Sequence, residues 1–466
     1  MKLLCYFCHR FLDFRLSETE SVCELLRCRQ DEKSDNLWLK PHGGSFESPF
    51  WYINLPSEKQ ATELANRTAL IKGLYEVWGE GETWEELTSS LEKCPLDLIE
   101  PHVARGTTFK IEVESFGGSL SQDDIVRRID LLCKLIPFQG KVKLGAPQHV
   151  FTLLRANAED SSGGLPAHLV PFRWYFGRRI AGSDRSFIPR YQLSSRAYIG
   201  TTSMDPELAH IMCNHAKVAR GSLVLDPFVG TGGILVAAAH FGAVVVGLDI
   251  DIRVIRHGAK RNGRHVNLYS NFEQYGLSDP AGLLRADMHR APFRHGLAEW
   301  VDAIVCDPPY GVRESARKTE PKDVEITNRE SYIPSTQPYF LGECLYDLVE
   351  FAAAALRTGG RLVFWMPSAP DLYEEEELPC HPIMRIVHNC EQHLSSRYTR
   401  RMITMEKARP LDGAAGEAWA ARRGDAIMKI NLIPRRVYEA MERDELGNPL
   451  HPERVAAKQP FRGKNI

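Results

Sequence analysis

Four consecutive residues, Asp307-Pro308-Pro309-Tyr310, carry the chemistry most directly read from this chain. They follow the apolar run Val301-Asp302-Ala303-Ile304-Val305-Cys306. That run reads as a buried parallel strand, because two prolines stop the ladder and throw the following residues out of the sheet. In open α/β sheets, ligands bind at the C-terminal edge of the strands. An acid, a proline carbonyl and an aromatic ring at that edge suit methylation of an exocyclic amino group conjugated to an aromatic ring. The lone pair of such a nitrogen is delocalised, which makes it a poor nucleophile. Two acceptors, the Asp307 carboxylate and the Pro308 carbonyl, can take its N–H bonds and favour the pyramidal form, while Tyr310 holds the ring flat. The tetrapeptide alone also fits a strand followed by a rigid turn.

The elements that must position these residues lie upstream. Leu223-Val224-Leu225-Asp226 reads as a strand, Pro227-Phe228-Val229-Gly230-Thr231-Gly232-Gly233 as a glycine-rich turn, and Ile234 to Phe241 as a helix. Such a unit brings backbone N–H groups close to a ligand. The Gly-x-Gly-Gly spacing lacks the third glycine of the dinucleotide fingerprint, which counts against a pyrophosphate-bearing cofactor. Ala243 to Asp249 is the next strand, its terminal acid placed to accept ribose hydroxyls, with Asp251 competing for that role. Leu283 to Asp287 is a further short strand ending in an acid suited to an adenine amino group. Each acid alone fits a cap or turn, whereas Asp226, Asp249, Asp287 and Asp307 at four successive strand tips form a site. Ser203 or Asp205 caps a helix through Leu208, Ile211 and Met212, with Pro206 in its first turn. The polar stretch from Tyr310 to about Gln337, with Arg313, Arg317 and Lys318, reads as a functional loop over the substrate. Phe340 to Leu356 reads as an amphipathic helix and Arg361 to Met366 as the next strand.

A chain of 466 residues is too long for one ordinary core, so two or three domains are expected. A formal net charge of -2 offers no global attraction to nucleic acid, so an RNA site must come from local clustering. No apolar run is long enough to span a membrane, and the N-terminus lacks a convincing signal-peptide core. Eleven scattered cysteines suit a reducing compartment, hence a cytoplasmic location. Cys5-x-x-Cys8 has knuckle spacing but no glycine-rich knuckle turn, so these thiols read as core and no metal site is expected. Phe11 to Leu16 alternates like a strand, Ser17 and Glu20 form a capping-box start for a helix to about Arg27, and Phe50 to Leu55 is a strand before a helix from about Glu58 to Arg67. Thr108 to Glu114, a helix from about Ser121 to Leu132, Val142 to Leu144 and Val150 to Leu154 make a second α+β unit. Between Pro171 and Gly200 there are six arginines, among them Arg173, Arg178 and Arg179, with seven aromatics and one acid. That composition fits phosphate contacts and base stacking, and equally a core with a solvated face. Periodicity weakens beyond about Pro410.

Taken together, Asp226-Pro-Phe-Val-Gly-Thr-Gly-Gly233, Gly247-Leu-Asp-Ile-Asp251 and Asp307-Pro-Pro-Tyr310 resemble a Rossmann-like, S-adenosyl-L-methionine-dependent amino-methyltransferase. Thr108 through Val150-Phe151 to Tyr175-Phe176-Gly177 resembles a THUMP RNA-binding module preceded by a ferredoxin-like unit. With Gly200 to Asp205 and Asn389-Cys390-Glu391-Gln392, the order is similar to the family of catalytic subunits of eukaryotic tRNA guanosine-10 N2-methyltransferases. The resemblance implies an α/β fold: a ferredoxin-like unit (1–100), a THUMP domain (101–180), a linker (181–199), a methyltransferase domain (200–410) and a partly ordered tail (411–466). It implies tRNA as substrate, S-adenosyl-L-methionine as cofactor and a small zinc-binding activator subunit as partner. Asp307, Pro308, Pro309 and Tyr310 would be catalytic. Asp226, Gly230, Gly232, Asp249 and Asp287 would hold the cofactor, with Thr202, Ser203, Pro227, Phe228, Thr231, Ile250 and Met288 beside them. Arg173, Arg178, Arg179, Arg313 and Arg317 would contact RNA. Adenine N6, a protein glutamine, or a non-catalytic tRNA-binding scaffold are the competing readings.

Overall fold

The computed structural model describes residues 1–28, 37–40, 46, 48–156, 172–261, 263–294, 296–310, 317–319, 336–370, 373–375, 378–395 and 398–441. The chain forms two compact units, Met1–Arg185 and Ser186–Ile466.

The first unit is built on one sheet of eight strands, β1 (Lys2–Phe7), β2 (Trp38–Leu39), β3 (Phe50–Asn54), β4 (Ile71–Gly81), β5 (Thr108–Phe116), β6 (Lys141–Val142), β7 (His149–Ala156) and β8 (Arg173–Gly182). Their order is β2-β3-β1-β4-β8-β7-β5-β6, so the two α+β units read from sequence share a single sheet through the β4–β8 pairing. The strand expected over Phe11–Leu16 is instead a 3-10 turn, Leu12–Phe14, running into a helix, Arg15–Leu25. Buried polar anchors override the alternating pattern there. The Arg15 guanidinium donates to the carbonyls of Leu12 and Ser48, each at 2.6 Å. The Glu18 carboxylate accepts from the backbone N–H groups of Ala69 and Leu70 at 2.8 and 3.0 Å. Cys5, Cys23 and Cys28 are buried in this unit.

The second unit contains β9 (Leu223–Asp226), β10 (Val244–Asp249), β11 (Ala259–Arg261), β12 (Arg264–Val266), β13 (Gly282–Arg285), β14 (Val301–Cys306), β15 (Arg317–Thr319), β16 (Thr336–Pro338), β17 (Leu356–Ser368), β18 (Met384–His393) and β19 (Thr399–Lys407). Seven of them form a Rossmann-like sheet in the order β13-β10-β9-β14-β17-β19-β18. Pairings from β13 to β17 are parallel, and β19 is antiparallel to both β17 and β18. The strand order reverses between β9 and β14, which opens a crevice at their C-terminal ends. Asp226 ends β9 and Asp307 directly follows β14, so the topology brings both to that crevice.

Residues 186–199, expected as linker, pack within the second unit. The Phe187 ring stacks on His210 with centroids 4.2 Å apart, and the buried Tyr191 bonds His240 Nδ1 at 3.1 Å. Asp205 is the residue that caps the helix Pro206–His215, accepting from Glu207 N–H at 2.8 Å. Beyond Pro410 the chain continues into three helices, Gly413–Ala421, Arg423–Asn431 and Ile433–Met441. Trp419 stacks on Tyr346 at 4.3 Å, and Ile430, Ile433 and Val437 join the same core. Residues 442–466 of the expected tail lie outside the described residues.

At the far end of the sheet, Glu406 closes an ion-pair network. Its carboxylate takes Lys217 at 2.9 Å, the fully buried Arg361 at 3.0 Å and Arg385 at 2.9 Å. Burial works to raise the Glu406 pKa, but the hydrogen bond and charge of Lys217, with Arg361, bring it down to about 2. A carboxylate depressed in the folded state stabilises the fold above its unfolded pKa, and that contribution disappears as pH falls through the folded value. Glu406→Gln is therefore expected to lose about 2 kcal/mol at pH 7, discounted for the solvent-facing Arg385 side. Chemical denaturation as a function of pH should show this deficit shrinking between about pH 4 and pH 2, and a pH-independent deficit would contradict it.

Candidate active site

The glycine-rich turn after β9 takes its shape from two backbone constraints. Gly230 and Gly232 have φ of +49° and +80°, in the left-handed region that disfavours side chains. A Cβ at Gly232 would also stand 2.8 Å from Leu268 Cγ, so only glycine lets the turn pack there. Phe228 N–H donates to Asp226 Oδ1 at 3.0 Å, and Gly230 N–H donates across to Asp249 Oδ2 at 3.1 Å. The tips of β9 and β10 are thus tied together by the turn itself. Asp249 Oδ1 accepts from Asp251 N–H at 2.8 Å, and Asp251 pairs with Arg253. Asp249 therefore takes the strand-tip position for which Asp251 competes in the sequence.

Asn271, fully buried, is a positioning residue that motif reading missed. Its amide donates to the carbonyls of Thr231 and Tyr198 at 3.1 and 2.9 Å, while its oxygen accepts from Tyr198 N–H at 2.8 Å. Ser203 Oγ bonds Thr231 Oγ1 at 2.8 Å and accepts from Gly200 N–H at 2.9 Å, so the Gly200–Ser203 segment is fastened to the same turn. Thr202 is exposed, and Pro227 and Met288 are buried, with Phe228 and Ile250 half-buried.

Asp226 is almost fully buried. Burial pushes its carboxyl well above the usual range, and the charges of Asp249 and Asp307 add to this, opposed by the hydrogen bond from Phe228. Asp249 and Asp307 therefore both lie close enough to Asp226 to act on it.

Both Asp307 oxygens already have partners. The Tyr310 hydroxyl donates to Oδ1, and Arg400 Nη1 lies 3.6 Å from Oδ2. Burial and the Asp307 charge push the Tyr310 phenol well up, so it remains a donor. Arg400 is itself held: its guanidinium lies 4.0 Å over the Trp365 ring and donates to Gln392 Oε1 at 2.7 Å. The antiparallel pair β18–β19 thus supplies one wall of the site, through Gln392 and Arg400.

Asp287 lies two residues beyond β13 rather than at its tip. Its Oδ2 accepts from the N–H and hydroxyl of Thr319 at 2.6 and 2.7 Å, and its Oδ1 from His289 N–H at 3.0 Å. It anchors the strand β15 that follows the Asp307–Tyr310 tetrapeptide. Thr319 thus occupies the Asp287 oxygen that the sequence offered to an adenine amino group.

The arginines of β8 are engaged within their own unit. Arg178 pairs with Glu58 and with Glu76, the latter at 3.1 Å, Arg173 with Glu80 at 3.0 Å, and Arg179 with Glu112 at 3.4 Å. Trp174, Tyr175 and Phe176 are buried, so this stretch is core on its aromatic side. Arg173 and Arg178 are largely buried in these pairs, whereas Arg179 stays partly exposed. Arg317 is exposed and donates to the Thr336 carbonyl at 2.8 Å, whereas Arg313 lies outside the described residues.

Comparison with known proteins identifies the family of the chain. Residues 1–185 match a family model described as the Tmrp11 THUMP N-terminal domain, and residues 194–322 match one described as an RMKL-like methyltransferase domain. The chain is 42% identical over 414 residues to the mouse protein named tRNA (guanine(10)-N(2))-methyltransferase TRMT11, covering 86% of this chain and 87% of that one. It is 41% identical over 416 residues to the human protein of the same name, with 86% and 87% covered. The solved structure of TrmN from Thermus thermophilus aligns over 87% of this chain and 100% of its own, at 20% identity and a TM-score of 0.42. At that score the fold assignment rests on strand order, not on the structural likeness. By its identity to these relatives along nearly their whole length, the chain belongs to the TRMT11 family of tRNA (guanine(10)-N(2))-methyltransferases.

Proposed function

We propose that the chain transfers a methyl group from S-adenosyl-L-methionine to N2 of guanosine at position 10 of tRNA. The observation that carries this reading is the convergence of Asp226, Asp249 and Asp307 at the switch point of the sheet, with Asp226 pushed up by burial and its neighbours. Such a site attracts positive charge, and the donor carries a sulfonium and an ammonium group. The Gly230–Gly232 backbone and the remaining acceptor capacity of Asp249 fit its methionine and ribose portions. When bound, the donor supplies an already activated methyl group.

The protein's own work is positioning and exclusion of water. Asp307 and the Pro308 carbonyl accept the two N–H bonds of the guanine amino group. To do so, Asp307 Oδ1 exchanges the Tyr310 hydroxyl for the amino group, and the freed ring turns to stack on the base. Asp307, as acceptor of that N–H, takes the proton the nitrogen sheds. Arg400, fixed by Trp365 and Gln392, keeps the carboxylate aimed while this exchange occurs. Position 10 lies in a stem, so its guanine must leave the stack at a cost of a few kcal/mol. The names of the curated relatives support the acceptor. The family resemblance adds a small zinc-binding activator subunit, and the eleven free thiols suit a cytoplasmic location.

Asp307→Ala is expected to reduce labelled methyl transfer to background while tRNA binding stays within about twofold; full activity in this variant would refute the assignment. Arg400→Met is expected to lower kcat by 10- to 100-fold or so, because a misplacement of about 1 Å costs that much, with little change in donor affinity. Arg400→Lys should recover part of the loss, and equal activity of the methionine and lysine variants would deny Arg400 a role in aiming Asp307.

A further inference from the structure

The segment between β10 and the helix Leu268–Tyr275 is unlike its surroundings. From Arg253 to Val266 it carries five Arg or Lys residues and two histidines without a single acid, in a chain of net charge -2. It folds as a short π-helical turn, Arg253–His257, followed by the β11–β12 hairpin. Gly258 closes it down tightly: its φ is +55°, and a Cβ there would stand 2.1 Å from the Val266 carbonyl oxygen.

The pairing in this hairpin sets like charges against each other. Arg261 faces Arg264. Like charges directly opposite destabilise a two-stranded ribbon, which is marginal in water even without them. Arg253 is paired with Asp251, and Arg261 donates to the Arg196 carbonyl. Arg256, Lys260 and Arg264 are exposed and have no carboxylate partner among the described residues. The hairpin therefore concentrates uncompensated positive charge that its own fold does not use.

A pocket of about 550 Å³ lies at its base, lined by Arg196, Arg261 and Arg264 together with Ser195, Ala197 and Val266, with no acid among them. Arg196 is 1% exposed, and its Nε and Nη1 have no hydrogen-bond partner among the described residues. Its Nη1 lies toward Gly233, 3.2 Å from where a Cβ there would stand, so the cations the pocket exposes are Arg261 and Arg264.

We propose that the β11–β12 hairpin and the arginine-lined pocket at its base bind the phosphate backbone of the tRNA substrate. This rests on the functional reading above and names the surface through which the methyltransferase unit grips its RNA. Because β10 ends at Asp249, whose tip is tied to the Gly230 turn, the hairpin leaves the sheet at its ligand edge. The contacts are to phosphates and so carry no sequence information.

The test uses the full-length chain and its Arg256→Gln/Lys260→Gln/Arg264→Gln variant, with tRNA binding measured across a salt series and methyl transfer measured in the same preparations. The variant is expected to bind tRNA at least tenfold more weakly, with the slope of log K against log salt shallower by about two, since each lost phosphate contact removes somewhat less than one unit. Its KM for tRNA should rise while donor affinity is unchanged. In the intact chain, acylation of the Lys260 amine should be suppressed by tRNA, a measurement that does not depend on the variant's folding. Unchanged affinity, salt slope and Lys260 reactivity would overturn the hairpin proposal alone, provided the intact chain methylates tRNA. Failure of the intact chain to bind or methylate tRNA would instead overturn the functional reading and the hairpin with it. A defect confined to co-purification with an acidic protein would also overturn the RNA assignment.

Discussion

Like charges gathered at the C-terminal edge of β9, β10 and β14 are the constraint around which the second unit is arranged. Asp249 and Asp307 both act on Asp226, which is almost without solvent. Each is held by a donor that the fold must supply: Phe228 N–H for Asp226, Gly230 and Asp251 N–H for Asp249, the Tyr310 hydroxyl and Arg400 for Asp307. The glycine turn, the β18–β19 wall and the bond from Asn271 to Thr231 follow from that requirement. An electrically strained acidic site becomes comfortable when a cation enters it, which links the architecture to a sulfonium donor.

The two units treat charge differently. In the first, the arginines of β8 are spent on Glu58, Glu76, Glu80 and Glu112. In the second, Arg256, Lys260 and Arg264 have no carboxylate partner among the described residues. A near-neutral chain can therefore attract a polyanion only where pairing is locally withheld, because electrostatic attraction follows the charge distribution and not its sum.

The catalytic unit was largely legible because its strands are short apolar runs ended by Asp, Gly or Pro, signals that survive without tertiary context. Asp226, Asp249 and the tetrapeptide at 307 fall where those signals place them. Asp287 lies past its strand because Thr319 and His289 fix it in a turn, and no local pattern encodes those partners. Phe11–Leu16 misled because alternation over six residues also fits a helix entry, and the deciding groups, Ser48 and Ala69–Leu70, are far off in sequence. The helices after Pro410 were readable in part: Ile430, Ile433 and Val437 recur at helical spacing, but what they cover, the helix Leu341–Ala355, is distant in the chain. Asn262-Gly263, with Gly263 at φ +77°, was an overlooked hairpin signal in the sequence.

The central claim is that this acidic crevice, with Asp307 and Tyr310 at its mouth, methylates one guanosine amino group in tRNA. Transfer of labelled methyl from S-adenosyl-L-methionine to a tRNA transcript carrying guanosine at position 10, compared with the same transcript carrying adenosine there and a compensating change across the stem, tests it most directly. The account predicts incorporation into the first, recovered as N2-methylguanosine, and background incorporation into the second. Equal incorporation into both would contradict it.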